Sequence, residues 1–164
     1  MVNEFYNFAR MPTSKPSQSD LNKIIQEALF LFKENHKEIN FTYRADLDIP
    51  ILNLDQAQIK RALINLLDNA VCAVDGKNGD ISITTEYNEV LNIVQIEVAD
   101  NGCGIPQEAK SRLFEPYFST KKNGTGLGLT IVKSIISEHN GFIRVWDNYP
   151  QGTRFIIELP VVRN

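Results

Sequence analysis

Residues 118–129 read FSTKKNGTGLGL. Two lysines, Lys121 and Lys122, lead into glycines at 124, 126 and 128, and an apolar helical pattern starts directly behind them. One glycine is enough to turn a loop; three at alternate positions imply that bare backbone must come close to something. Two familiar phosphate loops do not fit. A Walker loop needs GxxxxGK[ST], and the dinucleotide fingerprint GxGxxG would need glycine at 129, where Leu129 stands. The physics is still that of an anion cradle. Glycines let backbone N–H groups face an anion, the following helix adds its positive end, and the lysines supply cations. A flexible surface loop with solvated lysines competes with this reading but does not account for the alternate spacing.

Upstream, VADNGCGI ends an alternating apolar run at Asp100, with Gly102 and Gly104 just after it. An Asx turn explains this pattern by itself. The alternative is a carboxylate that accepts from an exocyclic amine, with glycines that let a flat base lie against the backbone. Further upstream stands DQAQIKRALINLLDNAVCAV, residues 55–74. At 100° per residue, Ile59, Ala62, Leu63, Leu66, Leu67, Ala70, Val71 and Val74 share one face. Gln58, Arg61, Asn65, Asp68, Asn69 and Cys72 fall on the opposite stripe. Asparagine is a poor helix former because its side chain competes for backbone hydrogen bonds. Two of them one turn apart are either part of a solvated face or an oxygen-rich stripe for a hard cation. Mg²⁺ takes few protein ligands, keeps several waters and bridges substrate phosphates.

Around these stretches the pattern predicts a mixed fold. Asp20 caps a helix running to about residue 35, and Asp55 caps one running to about residue 74. INFTYRAD and IPILNL read as short strands, ISITTEY and IVQIEVAD as a strand pair, and FIRVWDN and TRFIIELP as a closing hairpin. Pro106 suits the first turn of a short helix to about Phe114, an irregular segment runs from Glu115 to Thr125, and a last helix spans about Leu127 to His139. Helices and strands mix without strict alternation. The expected class is therefore α+β: a two-layer α/β sandwich, its sheet mixed and mostly antiparallel, with helices packed on one face. The first residues carry apolar side chains at helical spacing (Val2, Phe5, Phe8, Ala9), and MPTSKPSQSD reads as a linker. The expected organisation is 1–12 as the end of a preceding helix, 13–19 as linker and 20–164 as one domain.

With 164 residues, 43% hydrophobic and 23% charged, the chain has the composition of an ordinary globular domain. Its net charge of −3 gives no chain-wide attraction to nucleic acid or to an anionic membrane surface. No apolar run approaches the length of a membrane span. Cys72 and Cys103 lack CxxC spacing or a histidine partner and read as reduced thiols.

In order and spacing, NLLDNA, DNGCGI and FEPYFSTKKNGTGLGLTIVKSII resemble the N, first Gly, F and second Gly boxes of sensor histidine kinases. The resemblance covers about residues 21–160, and the unbroken FEPYFSTK…GTGLGL looks most like the nitrogen-regulation (NtrB/NtrY-type) group. It implies the Bergerat ATP-binding fold shared with DNA gyrase, MutL and ATP-driven chaperones. By this resemblance Asn69 would hold Mg²⁺ bridged to the ATP phosphates, with Asn65 beside it. Asp100 would accept from the adenine amino group, and Gly102 and Gly104 would shape the adenine pocket. The segment from Phe114 to Thr125 would form a lid anchored by Phe114 and Phe118, with Lys121 near the phosphates. Gly124, Thr125, Gly126, Leu127 and Gly128 would wrap the phosphate chain. Asn65 and Lys121 are then the candidate catalytic positions.

Hydrolytic members of the fold resemble one another in carrying Glu where this chain has Asn65, and an amide cannot serve as general base. An external nucleophile is expected: by resemblance, a histidine on a dimerisation and phosphoacceptor domain, with relay to an aspartate of a response regulator. His36 and His139 lie in nothing like the family's phosphoacceptor box and read as surface or capping residues. The expected setting is cytoplasmic, with the intact protein membrane-anchored in many members of the family. The competing readings are a gyrase- or MutL-like ATPase, an anti-sigma-factor serine kinase, and a partner-binding module that uses no nucleotide.

Overall fold

The computed structural model describes residues 13–75, 78–118 and 127–162. The expected sandwich is what the chain forms. Five strands make the main sheet: β2 (Asn40–Arg44), β4 (Asp80–Asn88), β5 (Ile93–Asp100), β6 (Phe142–Asp147) and β7 (Thr153–Pro160). Their order is β2-β4-β5-β7-β6; β2 runs parallel to β4, and every other pair is antiparallel. Helices α1 (Leu21–Asn35), α2 (Gln56–Ala73) and α4 (Gly128–Glu138) supply the second layer.

Alternation builds the interface. Ile83, Val98 and Phe155 stand in register across three strands, and Ile96 pairs with Ile157 one step along. All five side chains are buried. Buried aliphatic side chains on the helices complete the core: Ile25 and Leu29 from α1, Leu63 and Leu67 from α2, Ile131 and Ile135 from α4. The same alternation along β5 (Val94, Ile96, Val98) carries on to Asp100, so its carboxylate continues the buried stripe at the strand's end. The sheet's other face mixes ion pairs, Arg154–Glu97 at 3.0 Å and Arg144–Glu158 at 3.6 Å, with the exposed aromatic side chains of Phe142 and Trp146.

Capping sets the helix starts. Asp20 accepts from the Lys23 N–H at 3.3 Å and Asp55 from the Gln58 N–H at 3.1 Å. Burial alone would raise the Asp55 carboxyl; the backbone N–H groups of Lys15 and Gln58 outweigh it and hold the group below its usual range.

Four local expectations change. The stretch read as a linker carries β1 (Ser17–Ser19), antiparallel to β3 (Leu52–Leu54), and the Lys15 N–H donates to the Asp55 carboxylate at 2.8 Å. Ser and Pro had suggested loop, but β3 offers backbone partners and Ser19 is buried against Leu54. The short helix after Pro106 is only α3 (Gln107–Lys110), followed by turns. Gln58 is buried, because the first turn of α2 is covered on more than its apolar face. His139 caps the C-terminus of α4 but is 8% exposed. Its Nε2 accepts from the Asp55 N–H at 3.0 Å while Nδ1–H donates to the Ile135 carbonyl at 2.8 Å, so the ring joins two helix ends as the Nδ1–H tautomer. No helix among the described residues is long and apolar enough to cross a membrane.

Candidate functional site

α2 is the wall shared by the motifs. Asn65, Asn69 and Ala73 lie at i, i+4 and i+8 and so follow one stripe about 12 Å long. At one end, Asn65 is half-buried and its Nδ2 donates to the Gly128 carbonyl at 3.2 Å. That bond ties the stripe to the N-terminus of α4, so a solvated outer face does not describe Asn65. At the other end, the Ala73 carbonyl accepts from the Cys103 N–H at 3.0 Å, which ties α2 to the loop after β5. Asn69, half-buried, sits one turn from each tie.

Asp100 is 4% exposed. Its Oδ1 accepts from the Gly102 N–H at 2.8 Å, the Asx turn that the sequence allowed. Gly102 has a protein-internal reason to be glycine. A Cβ there would lie 2.4 Å from both the carbonyl carbon and the oxygen of Ala73. Gly104 needs its conformation instead, with φ +78.

Gly128 is different. Among the described residues, a Cβ on it would meet nothing within 4 Å. Leu127 beside it is buried in the core, so the start of α4 is anchored while no described residue fills the space over Gly128. A helix start with such space and a half-buried amide beside it is suited to an anion.

Phe114 and Phe118 are half-buried and pack on the edge of the core. The Phe114 carbonyl accepts from the Thr130 hydroxyl at 3.0 Å, and the Lys133 ammonium lies 5.7 Å from its ring centre. The Arg112 guanidinium lies 4.5 Å from the centre of the Phe118 ring. Lys121, Gly124, Thr125 and Gly126 lie outside the described residues. Two surface hollows on the α1 side, one lined by Lys23, Phe30 and Lys60 and the other by Asn22, Leu47 and Ile51, involve none of the motif residues.

The turn between β6 and β7 also reaches the Asp100 loop, a neighbour that the sequence motifs did not announce. Asn148 Nδ2 donates to the Asp100 carbonyl and Gln151 Nε2 to the Gly102 carbonyl, each at 2.8 Å. A Pro-Gln-Gly run marks a turn in the sequence, but nothing in it says which loop that turn would meet.

The profile of the histidine kinase-, DNA gyrase B- and HSP90-like ATPases matches residues 54–163. The chain is 38% identical over 156 residues to the nitrogen regulation protein NtrY of Azorhizobium caulinodans, covering 93% of this chain and 20% of that protein. It therefore spans about a fifth of that relative's length. The nucleotide-free catalytic domain of histidine kinase ThkA superposes with a TM-score of 0.81 at 39% identity, over 90% of this chain and 96% of that one. ThkA in complex with response regulator protein TrrA gives 0.82 at 33% identity, over 98% and 46%. Full-length ShkA in complex with AMPPNP gives 0.85 at 25% identity, over 99% and 35%.

Proposed function

Because the chain belongs to the histidine kinase-, DNA gyrase B- and HSP90-like ATPase family, and within it to the catalytic domains of sensor histidine kinases, we propose that it binds Mg-ATP along the α2 stripe and donates the γ-phosphoryl group to a histidine on another domain. The observation that supports this most is the double tie of α2. One helix face meets the Asp100 loop at one end and the start of α4 at the other.

In this reading Asp100 accepts from the adenine amine, and the Asx bond from Gly102 holds the carboxylate in place beforehand. The Gly128 end receives phosphate oxygens at backbone N–H groups and the helix dipole. Lys121, Gly124, Thr125 and Gly126 are assigned to the lid and phosphate wrap on the resemblance alone, and Phe114 and Phe118 to the lid's anchorage. The amide oxygens of Asn69 and its neighbour Asn65 suit a hard cation, since neutral ligands are enough where phosphates bring the negative charge. Mg²⁺, when bound there, would offset charge on the transferring phosphoryl group.

Hydrolysis is disfavoured at this site. Asn65 is an amide, with its N–H donated to the Gly128 carbonyl, and is not a base for water. Neither histidine of the chain serves as acceptor either. His139 is buried between Asp55 and Ile135, and His36 ends α1, stacked on Phe32. The acceptor histidine is assigned to a dimerisation and phosphoacceptor domain, and the onward partner to a response regulator, the kind of protein found bound to ThkA. We assign residues 1–12 to the end of that preceding helical domain, 20–164 to the ATP-binding domain, and the whole to the cytoplasm.

Calorimetric titration with ATP, with and without Mg²⁺, tests the site on wild type and Asp100→Asn. Saturable Mg-ATP binding that Asp100→Asn removes is the expected result. A folded wild type that binds no nucleotide would overturn it and favour a partner-binding module. Mixing with a separately supplied phosphoacceptor domain should yield phosphohistidine on that domain only. Phosphohistidine on this chain, or steady ATP turnover without acceptor, would refute the transfer.

A further inference from the structure

The turn at residues 148–152 belongs to none of the nucleotide motifs, yet it is built onto the Asp100 loop. The Asn148 N–H closes the turn on the Gly152 carbonyl at 2.9 Å. Gly152 has φ +116 and lies so close to β5 that a Cβ would sit 1.9 Å from the Asp100 carbonyl oxygen. With the turn seated there, Asn148 donates to the Asp100 carbonyl and Gln151 to the Gly102 carbonyl, both at 2.8 Å.

Those two carbonyls have a specific relation to the Asp100 carboxylate. Each peptide unit is a rigid plane. The Asp100 carbonyl belongs to the plane before the 101–102 unit, and the Gly102 carbonyl belongs to the plane after it. The N–H of the unit between them is the one that holds Asp100 Oδ1, at 2.8 Å. Glycines at 102 and 104 leave this backbone many conformations unless something restricts it. Ala73 restricts it from the helix side, through the Cys103 N–H at 3.0 Å. Asn101 anchors it to β4: its Oδ1 accepts from the Asp80 N–H at 2.8 Å and its Nδ2 donates to the Asn78 carbonyl at 2.9 Å. Asn148 and Gln151 act on the two planes that flank the carboxylate's own hydrogen bond.

We propose that Asn148 and Gln151 are positioning residues for base recognition, which act through Asp100 and set how strongly the site prefers adenine. The inference rests on the reading that Asp100 accepts from the adenine amine. Neither residue touches the nucleotide in this proposal. Each fixes a peptide plane, and the planes aim the carboxylate.

Adenine and hypoxanthine separate aiming from general stability. ATP and ITP share ribose and triphosphate, but hypoxanthine carries a carbonyl oxygen where adenine carries its amine. Dissociation constants for both are measured by calorimetry on wild type, on the loss variants Asn148→Ala, Gln151→Ala and Gln151→Glu, and on Gln151→Lys as the rescue, with melting temperatures alongside. Gln151 is exposed, so its variants are expected to fold. Wild type should prefer ATP. Each loss variant should weaken ATP binding about 2- to 10-fold, the range for one hydrogen bond, with ITP affinity little changed. Gln151→Lys, which restores a donor, should recover the preference that Gln151→Glu loses. An unchanged ATP/ITP ratio in the alanine variants, whether both nucleotides weaken together or neither does, overturns the proposal. A wild type without ATP preference instead overturns the adenine assignment of Asp100, and the proposal with it, so the two failures are read from different proteins.

Discussion

Gly128→Ala should make the domain more stable and its nucleotide weaker. Gly128 is the first residue of α4, and an added Cβ meets no described atom within 4 Å. Alanine at a glycine position with compatible backbone gains about 0.4–1 kcal/mol, chiefly by restricting the unfolded chain. For a domain of this size that raises the melting temperature by about 1–4 °C. If phosphate oxygens fill the space over Gly128, the methyl group costs about 1–3 kcal/mol in the complex, as overpacking does elsewhere. At about 1.4 kcal/mol per tenfold, ATP binding should weaken by roughly 5- to 150-fold. Thermal melting and ATP titration on one preparation read both effects. Gly102→Ala is the contrast. Its Cβ would lie 2.4 Å from the Ala73 carbonyl, so it should lower stability and affinity together. A Gly128→Ala protein that melts higher and binds ATP as wild type does would show that the space over Gly128 is not where phosphates sit. A lower melting temperature would refute the claim that the position is unpacked.

Gly152→Ala combines strain at φ +116 with a Cβ only 1.9 Å from the Asp100 carbonyl oxygen, and should destabilise by about 2–5 kcal/mol in urea melts; a loss below about 1 kcal/mol would contradict that packing. Asp55→Ala removes the α2 cap and should cost about 1 kcal/mol at neutral pH. Because the folded Asp55 carboxyl titrates below its usual range, this contribution is fully present above about pH 4 and is lost as pH falls through the lowered folded value; a wild-type advantage that grew on acidification would have the wrong sign. Cys103 is exposed between Gly102 and Gly104, so in a Cys72→Ser background its alkylation by iodoacetamide should slow when Mg-ATP is added; equal rates would count against a base at residues 100–104.

The elements were legible where periodicity and caps agreed. Asp20 and Asp55 stand at the starts of α1 and α2 as read, and the alternation of β4, β5 and β7 gave the strands their inner and outer faces. Strand partners were not legible. β2 lies parallel beside β4, and β3 pairs with β1 in a stretch whose Ser and Pro content said linker, because backbone pairing depends on which edge is near and not on local composition. His139 shows the same limit: its place at the end of a helix was visible, but the Asp55 N–H that it accepts from is 84 residues away in sequence. At the site, the motifs named Asn65, Asp100 and Gly128 as important. Only the fold shows that Asn65 bonds Gly128, and that a hairpin turn distant in sequence holds the backbone under Asp100.

The glycines show why motif and role must be separated. Gly102 and Gly152 exclude a Cβ because other parts of the protein already occupy that position: the Ala73 backbone in one case and the Asp100 carbonyl in the other. Both pack the backbone around Asp100 against its neighbours. Gly128 excludes nothing among the described residues, so its lack of a side chain is unexplained by their packing. That is compatible with the proposal that phosphate oxygens take the room over Gly128. Asn65 follows the same logic. It donates one amide N–H to the Gly128 carbonyl, and an amide is not a base. On the proposed assignment, with Asp100 at the base and the Gly128 end at the phosphates, the α2 wall would hold a phosphoryl donor until a nucleophile from elsewhere arrives.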